Sequence, residues 1–245
     1  MRTVRLFVPD DLHAGQTLVL GPEATHHLVT VLRAKTGQPL LLCNNTGIEA
    51  TATLLTADRK AARVQVDGVL AVNRESPLAI HLAIGISRGE RMDLVLQKST
   101  ELGVTSITPL VCERTEVRLS GERLQKKTEQ WLKIVTGACE QSGRTRLPHL
   151  QDPATLAECL AMDSSDLRLV LHHRTDSALS RITATPQRVL LVVGPEGGLS
   201  ATEIHQAEQA GCCALALGPR VLRTETAPLA ALSVLQYRWG DLGGL

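Results

Sequence analysis

Short apolar runs separated by turn residues make up the first 72 residues of the chain. The runs are rich in aliphatic and β-branched residues, so they predict β-strands. They are Leu18–Leu20, Pro39–Cys43, Ile48–Leu55 and Ala62–Val72, with turns expected at Asn44–Gly47 and Asp67–Gly68. Between the first two runs, Leu28, Val31 and Leu32 share one helical face, and Gly37 follows as a C-cap. This pattern predicts a small β-barrel with an inserted helix.

The pattern changes at residues 73–77, a polar stretch that ends in proline, and we place a domain boundary between residues 72 and 73. From there on, apolar strands alternate with amphipathic helices. The strands are Leu78–Ile86, Ile107–Val111, Leu167–Leu171, Val189–Val193 and Ala214–Leu217, and the helices are Glu90–Leu102, Glu122–Gln141, Ser200–Ala210 and Ala227–Tyr237. Such alternation predicts an α/β fold with a mainly parallel sheet covered on both faces. Because such sheets bind ligands at the carboxyl ends of their strands, the loops after Leu171, Val193 and Leu217 form the candidate site.

Composition restricts the function in several ways. The 245 residues contain 26 Lys and Arg against 25 Asp and Glu, so a nucleic-acid site has to be a local basic patch. Only 2% of the residues are aromatic, which argues against a base-stacking surface of the kind that single-strand binders use. The longest aliphatic runs are far too short to span a bilayer, and no apolar targeting segment follows Met1, so we expect no membrane partner.

Cysteine and histidine positions bear on the cellular location and on metal binding. The six cysteines include no CxxC pair, which predicts free thiols in a cytoplasmic protein. Two pairs of adjacent histidines, His26–His27 and His172–His173, suggest a metal hypothesis. Adjacent side chains diverge by about 100° on a helix and face opposite ways on a strand, so neither pair chelates a metal alone. We therefore expect no metal site.

The loop after Val193 is rich in glycine and leads into a helix. It runs from Gly194 to Ser200, and Ser200 with Glu203 forms a capping box that starts the helix. Glycines beside a helix N-terminus let the backbone approach a ligand and direct free N–H groups toward it. A tight turn from strand to helix would explain the same glycines without a ligand. The loop lacks the lysine of a phosphate-binding GxxxxGK motif, and no GxGxxG follows the first strand, so phosphate and nicotinamide chemistry are both disfavoured.

The loop after Leu217 mixes polar and apolar residues in a way that no simple connector requires. Two arginines flank Val221–Leu222, and this arrangement suits a flat heterocycle held between apolar walls and backbone polar groups. Without a ligand, the segment is an irregular lead into a helix that Thr224 or Thr226 caps. The functional interpretation is favoured because two such loops end neighbouring strand candidates.

Together with three further segments, these loops resemble the ribosomal RNA small-subunit methyltransferase E family of the SPOUT class. The resemblance covers nearly the whole chain, and its residues are Gly194–Gly198 with Ser200 and Glu203, Leu217–Ala227, His27–Arg33, Lys98–Val104 and Glu140–Arg144. It implies a PUA-like, RNA-binding β-barrel at residues 1–72 and a methyltransferase domain at residues 73–245 whose parallel sheet contains a trefoil knot. The implied reaction transfers a methyl group from S-adenosylmethionine to N3 of a uridine in 16S rRNA, within the small ribosomal subunit.

The resemblance also implies the residues that hold the cofactor, and the chemistry of the reaction suggests catalytic residues. The expected cofactor contacts are Leu171, Gly194, Glu196, Gly197, Gly198, Leu217, Gly218, Val221 and Leu222. For catalysis, we expect Arg223 to hold the uracil carbonyl oxygens and to stabilise the anion that forms as N3 loses its proton. Glu196 and Glu225 are secondary candidates for orienting groups. The arginines expected to contact RNA are Arg2, Arg5, Arg33, Arg88, Arg91 and Arg144.

The last predicted helix, at residues 227–237, is apolar around most of its circumference, so it has to be buried on more than one side. One side packs on its own sheet. A two-fold partner is the simplest cover for the rest, and the SPOUT resemblance implies the same homodimer. Burial within a three-layer monomer is the alternative. The resemblance further implies that the active site needs both chains. We expect Leu235→Glu to weaken dimerisation and methyl transfer together, because it would put a charge into a desolvated interface.

Two other functions remain open on the sequence alone. A methyltransferase that acts on another RNA position, or on a ribose 2′-OH, would share the cofactor loops but would need a different nucleoside pocket. A noncatalytic RNA-binding assembly factor would use only the barrel and the basic residues. The two detailed loops after Val193 and Leu217 argue against this last function, because a simple binder has no need of them.

Overall fold

The structure, a computed structural model, describes residues 3–117, 119–172 and 179–244. The chain divides into two compact units. The first comprises the chain up to Glu75 together with Cys139–Leu147, and the second comprises Ser76–Ala138 together with Pro148–Leu245. Each unit has a hydrophobic core of its own.

A five-stranded sheet forms the first unit. Its strands are β1 (Val4–Phe7), β2 (Thr17–Val19), β3 (Pro39–Cys43), β4 (Ile48–Thr56) and β5 (Arg63–Ala71). They lie in the order β1-β3-β4-β5-β2, with β1 parallel to β3 and the other pairs antiparallel. Alternate residues face one core, as Leu40 and Leu42 do in β3 and Val64 and Val66 do in β5. The β-rich character predicted for this part of the chain is confirmed.

The helix of this unit differs from the prediction. It consists of α1 (Pro22–Thr25) and a π-helical segment (His26–Val31). The wider π-helical turn rotates the later residues away from the face that regular helical spacing predicts. Leu28 is buried as expected, but Val31 and Leu32 are exposed. The chain leaves the segment through Arg33, which has a φ of 52°, and not through a C-cap at Gly37.

The two turns predicted in this unit have different outcomes. Asp67 and Gly68 form no turn, because they lie within β5 at a point where the register against β4 shifts. The shift is a β-bulge, and a Cβ on Gly68 would lie 3.3 Å from the Thr51 hydroxyl oxygen. The turn between β3 and β4 is present. In it, Asn45 has a φ of 64°, and its Oδ1 accepts a hydrogen bond from the Leu147 N–H at 2.6 Å.

A six-stranded parallel sheet forms the centre of the second unit. Its strands are β6 (Ala79–Gly85), β7 (Ser106–Leu110), β8 (His149–Leu150), β9 (Leu167–Leu171), β10 (Arg188–Val193) and β11 (Cys213–Leu215). They lie in the order β11-β9-β10-β6-β7-β8, and every pairing is parallel. Strand β9 thus lies between β10 and β11, the two strands that precede the predicted cofactor loops after Val193 and Leu217.

Helices cover both faces of this sheet. They are α2 (Glu90–Glu101), α3 (Gly121–Ser142), α4 (Leu156–Met162), α5 (Ala201–Gln209) and α6 (Thr226–Trp239), with a 3₁₀ turn at Leu179–Arg181. Helices α2, α3 and α6 pack on one face, and α4 and α5 pack on the other. Strand β10 contributes to the packing on both faces of the sheet. Leu191 packs on the side of α2, α3 and α6, and Leu190 packs on the side of α4 and α5. The predicted α/β fold is confirmed, whereas the trefoil knot stays a prediction.

Two elements of this unit were not predicted from the sequence. They are α4 and β8, and both are short. Helix α4 begins with a capping box between Thr155 and Glu158, which is a local signal that the sequence does contain. Across the described ranges, no helix combines the length and the apolar composition that crossing a membrane requires.

Helix α6 is buried against its own unit more deeply than predicted. Leu235 is 0% exposed and belongs to the same core as Ala231 and Leu232. A charge at Leu235 would therefore disrupt the fold of the single chain, so the prediction that this substitution reports on a dimer interface is wrong. The exposed apolar residues of α6 are Val234 and Tyr237, and Tyr237 is 69% exposed.

Candidate active site

Three loops meet at one edge of the parallel sheet. Strand β9 lies between β10 and β11, so the carboxyl ends of the three strands and the loops that follow them are neighbours. The loops line a cavity of about 820 Å³. Cofactor and small-molecule sites usually have volumes of roughly 300–1,000 Å³, so this cavity is large enough for a cofactor.

The residues predicted for cofactor binding and catalysis all line this cavity. They are Leu171, Gly194, Glu196, Gly197, Gly198, Leu217, Gly218, Val221, Leu222, Arg223 and Glu225. The structure thus brings together three segments that lie up to 54 positions apart in the sequence, since Leu171 and Glu225 face the same space. The role of each residue toward a ligand stays a prediction.

Two glycines of the loop after β10, here called the glycine loop (Gly194–Leu199), are needed for different reasons. A Cβ on Gly194 would lie 2.6 Å from the Leu199 backbone nitrogen, so the close approach of the loop to itself excludes any side chain there. Gly198 has a φ of 68°, in the left-handed region that favours glycine. A Cβ on Gly198 would meet no atom within 4 Å, so a side chain at this position would extend into open space beside the cavity.

The start of α5 fixes the exit of the glycine loop. The Ser200 hydroxyl oxygen accepts a hydrogen bond from the Glu203 N–H at 3.1 Å, and Glu203 Oε2 accepts one from the Ser200 N–H at 2.8 Å. The predicted capping box is therefore confirmed. Because both residues are buried, the end of the loop is held inside the protein.

The loop after β11 is tied to the glycine loop. The Thr224 hydroxyl donates a hydrogen bond to the Gly194 carbonyl oxygen at 3.0 Å. The sequence suggested that Thr224 or Thr226 caps α6, and this prediction is wrong. The helix begins at Thr226, and its N-cap is Glu225, whose side chain makes no capping hydrogen bond. Val221, in the same loop, is 75% exposed, so an apolar side chain stands at the rim of the cavity.

The arginines that line the cavity differ in their partners. Arg91 Nη1 lies 3.1 Å from Glu196 Oε1, and Arg91 Nε lies 3.9 Å from Glu225 Oε2. Arg220 and Arg223 also line the cavity, but their guanidinium groups make no hydrogen bond or ion pair with any residue that the structure describes. These two guanidinium groups are therefore available to a ligand.

Glu196 connects the glycine loop to the start of α2. Besides the contact with Arg91, its Oε1 accepts a hydrogen bond from the Arg88 N–H at 2.9 Å. Burial alone would raise the pKa of Glu196, but these hydrogen bonds and the charge of Arg91 outweigh burial and lower the pKa below its ordinary value. The carboxylate therefore stays ionised at neutral pH and anchors the loop.

Two arginines predicted to contact RNA are instead used inside the first unit. Arg5 Nη2 lies 2.6 Å from Glu49 Oε2, and the side chain of Arg5 is only 12% exposed. Arg144 is buried and forms an ion pair with Glu75. Arg5 is half-buried and Arg144 is buried, and both are already paired within the chain, so neither guanidinium is placed to neutralise an RNA phosphate. The structure therefore argues against Arg5 and Arg144 as RNA contacts.

The remaining predicted RNA contacts are accessible where the structure describes them. Arg33, Arg88 and Arg91 are all exposed. Arg88 and Arg91 also have carboxylate partners, which are Glu116 and Glu196. Arg2 lies outside the described residues.

One wall of the cavity was not predicted from the sequence. Four residues of α5 line it, namely Ala201, Ile204, His205 and Glu208. Their spacing of i, i+3, i+4 and i+7 is that of one helix face, so the signal was present in the sequence. Arg114 and His172 were also missed. Arg114 comes from the loop after β7, which the positions of glycines and strands do not mark as part of the site.

Metal-binding chemistry is not apparent in the described part of the chain. No group of three or more His, Cys, Asp or Glu side chains suited to a metal ion occurs among the residues in those ranges. His173, one member of a histidine pair noted in the sequence, lies outside them. All six cysteines are free thiols.

Comparison with known proteins assigns the family. The profile of the RNA methyltransferase domain family matches residues 74–236, and that of the RNA methyltransferase PUA domain family matches residues 20–67. Two curated relatives, from Buchnera aphidicola and Bacillus subtilis, are both called ribosomal RNA small subunit methyltransferase E. They are 32% and 33% identical to this chain over 97% and 95% of its length, and the matches cover 94% of each relative.

The chain belongs to the ribosomal RNA small subunit methyltransferase E family. The family resemblance recognised in the sequence is thereby confirmed.

Solved structures agree with this family assignment. A member of the family from Neisseria gonorrhoeae, solved with bound S-adenosylmethionine, is 38% identical, with a TM-score of 0.92 over 98% of this chain and 100% of that one. A methyltransferase structure from Legionella pneumophila, also in complex with S-adenosylmethionine, is 47% identical, with a TM-score of 0.96 over 99% and 100% of the two chains. The α/β fold preceded by a PUA-like unit is therefore confirmed for this family member.

Proposed function

We propose that this protein transfers a methyl group from S-adenosylmethionine to N3 of a uridine in 16S rRNA, and that the substrate is rRNA within the small ribosomal subunit. Family membership supports the coarser activity, which is methylation of small-subunit rRNA with this cofactor. The choice of uridine N3 is the finer part of the proposal. The observation that carries it is one cavity lined both by the glycine loop and by Arg223, whose guanidinium has no partner among the described residues.

The chemistry of the cavity fits S-adenosylmethionine. A neutral adenine and a sulfonium need backbone hydrogen bonds and apolar walls rather than a phosphate-binding lysine. Leu171, Leu217 and Ile204 supply apolar wall, and no lysine of the described residues lines the cavity. Carboxylates at the cavity, such as Glu208, suit a ligand that carries positive charge. The relatives from Legionella pneumophila and Neisseria gonorrhoeae, solved with this cofactor, support the same assignment.

The proposed mechanism gives Arg223 the main catalytic role. The cofactor supplies a methyl group on a positively charged sulfur. The N3–H and sulfur–methyl bonds break, the N3–methyl bond forms, and the proton leaves to solvent or to a base. Arg223 donates hydrogen bonds to the uracil carbonyl oxygens and stabilises the negative charge that develops on the ring as the proton leaves. Glu225 lies within 3.9 Å of Arg91, so its proposed role is to orient groups at the rim rather than to act as a free base.

Mapping of methylated nucleosides tests this proposal. Purified small subunits from cells that lack the protein are incubated with it and S-adenosylmethionine, and the 16S rRNA is analysed by mass spectrometry. We expect one N3-methyluridine that is absent without the protein. A methyl group on another base or on a ribose 2′-OH would contradict the uridine N3 assignment. Binding to the subunit without methyl transfer would instead favour a noncatalytic assembly factor.

We also propose that the protein is a homodimer through its second unit. Val234 and Tyr237 lie three positions apart on α6, so they form one exposed apolar patch. Tyr237→Glu is expected to shift the protein from dimer to monomer in light scattering and to reduce methyl transfer, because a charge opposes burial in an interface. Met162→Glu is a matched control, since Met162 on α4 is also 69% exposed. A dimer that survives Tyr237→Glu, or a fully active monomer, would contradict the proposal.

The RNA contacts and the cellular location complete the proposal. Arg33, Arg88 and Arg91 remain as proposed RNA contacts because their side chains reach solvent. The free thiols fit a reducing compartment, and we propose that the protein acts in the cytoplasm.

A further inference from the structure

Arg114 lines the cavity and also contacts the glycine loop directly. Its Nη1 donates hydrogen bonds to the carbonyl oxygens of Gly197 and Leu199, at 3.1 and 3.4 Å. The aliphatic part of the Arg114 side chain also packs closely against Gly197, since a Cβ on Gly197 would lie 3.0 Å from Arg114 Cβ. Gly197 is not among the glycines with positive φ. A side chain at position 197 would therefore crowd Arg114, whereas the backbone conformation of Gly197 is not strained.

The segment that carries Arg114 is itself anchored by α5. Glu203, whose Oε2 completes the capping box, uses its Oε1 to accept a hydrogen bond from the Glu113 N–H at 3.0 Å. The Thr115 hydroxyl oxygen accepts one from the Cys112 N–H at 2.9 Å and closes the turn. Burial, together with the neighbouring Glu203 carboxylate, raises the pKa of the Cys112 thiol to about 12, so the thiol stays neutral beside that carboxylate.

These contacts link three segments in a ring, which are the glycine loop, the first turn of α5 and the segment that carries Arg114. The glycine loop leads into α5, the first turn of α5 holds the backbone of Glu113, and Arg114 holds the glycine loop. Because Arg114 holds the glycine loop at Gly197 and the capping box holds its exit at Ser200, the loop has few alternative conformations. Preorganisation of this kind improves affinity, because less conformational freedom is lost when a ligand binds.

We infer that Arg114 is a positioning residue for the cofactor, which acts through Gly197 and Leu199 to fix the glycine loop in the conformation that binds S-adenosylmethionine. This inference rests on the proposed function of the cavity. Since Arg114 acts through the loop and not on the reacting atoms, its loss raises the Kd and KM for S-adenosylmethionine and leaves kcat at saturating cofactor nearly unchanged.

Arg114→Met tests the inference because it keeps an unbranched stem and removes the donors. We expect S-adenosylmethionine to bind about tenfold more weakly by calorimetry, the loss expected for charge-assisted hydrogen bonds. Arg114→Lys keeps one cationic donor and is expected to recover part of that loss. Arg188→Met is the matched control, since Arg188 is an exposed arginine paired with Asp166 that does not line the cavity. The thermal midpoint of Arg114→Met is expected to match that of the control.

The outcomes separate the inference from the function on which it rests. Unchanged cofactor affinity in Arg114→Met overturns the positioning role, and so does a loss of affinity that only follows a loss of folded protein. A drop in kcat at saturating cofactor with unchanged KM also overturns it. If the wild-type protein binds no S-adenosylmethionine, the proposed function fails and the inference fails with it.

The capping boxes at the starts of α4 and α5 provide a second test. Glu203→Gln weakens both a helix cap and the anchor on Glu113, whereas Glu158→Gln weakens only the cap of α4. We expect Glu203→Gln alone to raise the Kd for S-adenosylmethionine, by less than Arg114→Met does. Equal cofactor affinities in the two variants would overturn the anchoring role of Glu203.

Discussion

The two edges of the parallel sheet contain similar types of polar residue but differ in how these residues are satisfied. At the carboxyl edge, the loops after β9, β10 and β11 line the cavity of about 820 Å³. At the amino edge, a cavity of about 220 Å³ is lined by the first residues of β6, β7 and β10. Arginine, histidine and carboxylate side chains occur at both edges.

The polar groups of the amino edge satisfy one another. His81 Nδ1 lies 3.1 Å from Asp163 Oδ2, and His81 Nε2 lies 2.7 Å from the Thr108 hydroxyl oxygen. Asp163 also pairs with Arg168 at 3.2 Å. A carboxylate, an imidazole and a hydroxyl in a row resemble a hydrolytic triad. However, Thr108 is 0% exposed, so its hydroxyl cannot reach a substrate and the network is structural.

The carboxyl edge, by contrast, keeps polar groups available. Arg220 and Arg223 have no guanidinium partner within the described ranges, and Gly198 leaves open space where a side chain would stand. Residue types alone therefore do not distinguish a binding site from a stabilising network. The difference lies in whether the polar groups are already bound within the chain.

The largest expected effect comes from Gly198→Val. A β-branched residue is disfavoured at a φ of 68°, and its side chain would occupy space beside the cavity. We expect calorimetry to detect no S-adenosylmethionine binding. Gly211→Val is the matched control, because Gly211 has a φ of 82°, also has open space around it and does not line the cavity. Tight binding of S-adenosylmethionine by Gly198→Val, or an equal loss of affinity in both variants, would contradict the assignment of the cofactor site to the carboxyl edge.

Arg223→Ala is expected to have the next largest effect. Removing one group that stabilises a developing anion costs about 10²-fold to 10³-fold in kcat. Calorimetry should show nearly wild-type affinity for the cofactor, since the proposed role of Arg223 concerns the uracil. Single-turnover methylation of small-subunit rRNA measures the rate. A rate within twofold of wild type would exclude Arg223 as the stabilising group.

The smallest effect on function is expected at the amino edge. Burial alone would raise the pKa of Asp163, but hydrogen bonds from Ser165 and His81 outweigh burial and lower it. A carboxyl whose pKa is lower in the folded state adds stability above its unfolded pKa and loses that stability as the pH falls through its folded pKa. The wild-type protein should therefore lose this stability below about pH 4.

Asp163→Asn checks this dependence. We expect it to lower the free energy of unfolding by about 1–3 kcal/mol at pH 7 and to flatten the loss at low pH, because hydrogen-bond partners are left unsatisfied and the titrating group is gone. Thermal unfolding of both proteins between pH 3 and pH 7 provides the measurement. Cofactor affinity at pH 7 should stay unchanged, and a weaker affinity would show that the two edges are coupled.

The centre of the sheet and the loops that line the larger cavity were predicted from the sequence, for physical reasons. Strands buried on both faces form continuous apolar runs, and 189–193 is such a run, so β10 was visible without a structure. The glycine loop followed from its place at the end of that strand. Arg114 was missed because its contact with Gly197 joins residues 83 positions apart and leaves no local pattern.

Long-range polar contacts also explain what was missed in the first unit. Residues 139–147 belong to that unit through contacts such as Arg144 with Glu75 and Leu147 with Asn45, which have no periodicity in the sequence. The π-helical segment was missed because Val31 and Leu32 have ordinary helical spacing, although both are exposed. Local sequence pattern therefore predicted individual strands and helices. Side-chain contacts between distant residues, which leave no such pattern, determined which unit residues 139–147 belong to.

A crystal structure grown with S-adenosylmethionine is the most direct test of the difference between the two edges. We expect electron density for the cofactor at the carboxyl edge, between the glycine loop and the loop after β11, with its methyl group directed toward the side of the cavity that contains Arg223. The smaller cavity beside His81 should contain no cofactor density. Cofactor density at the amino edge, or none at the carboxyl edge at saturating concentration, would contradict the assignment of the active site.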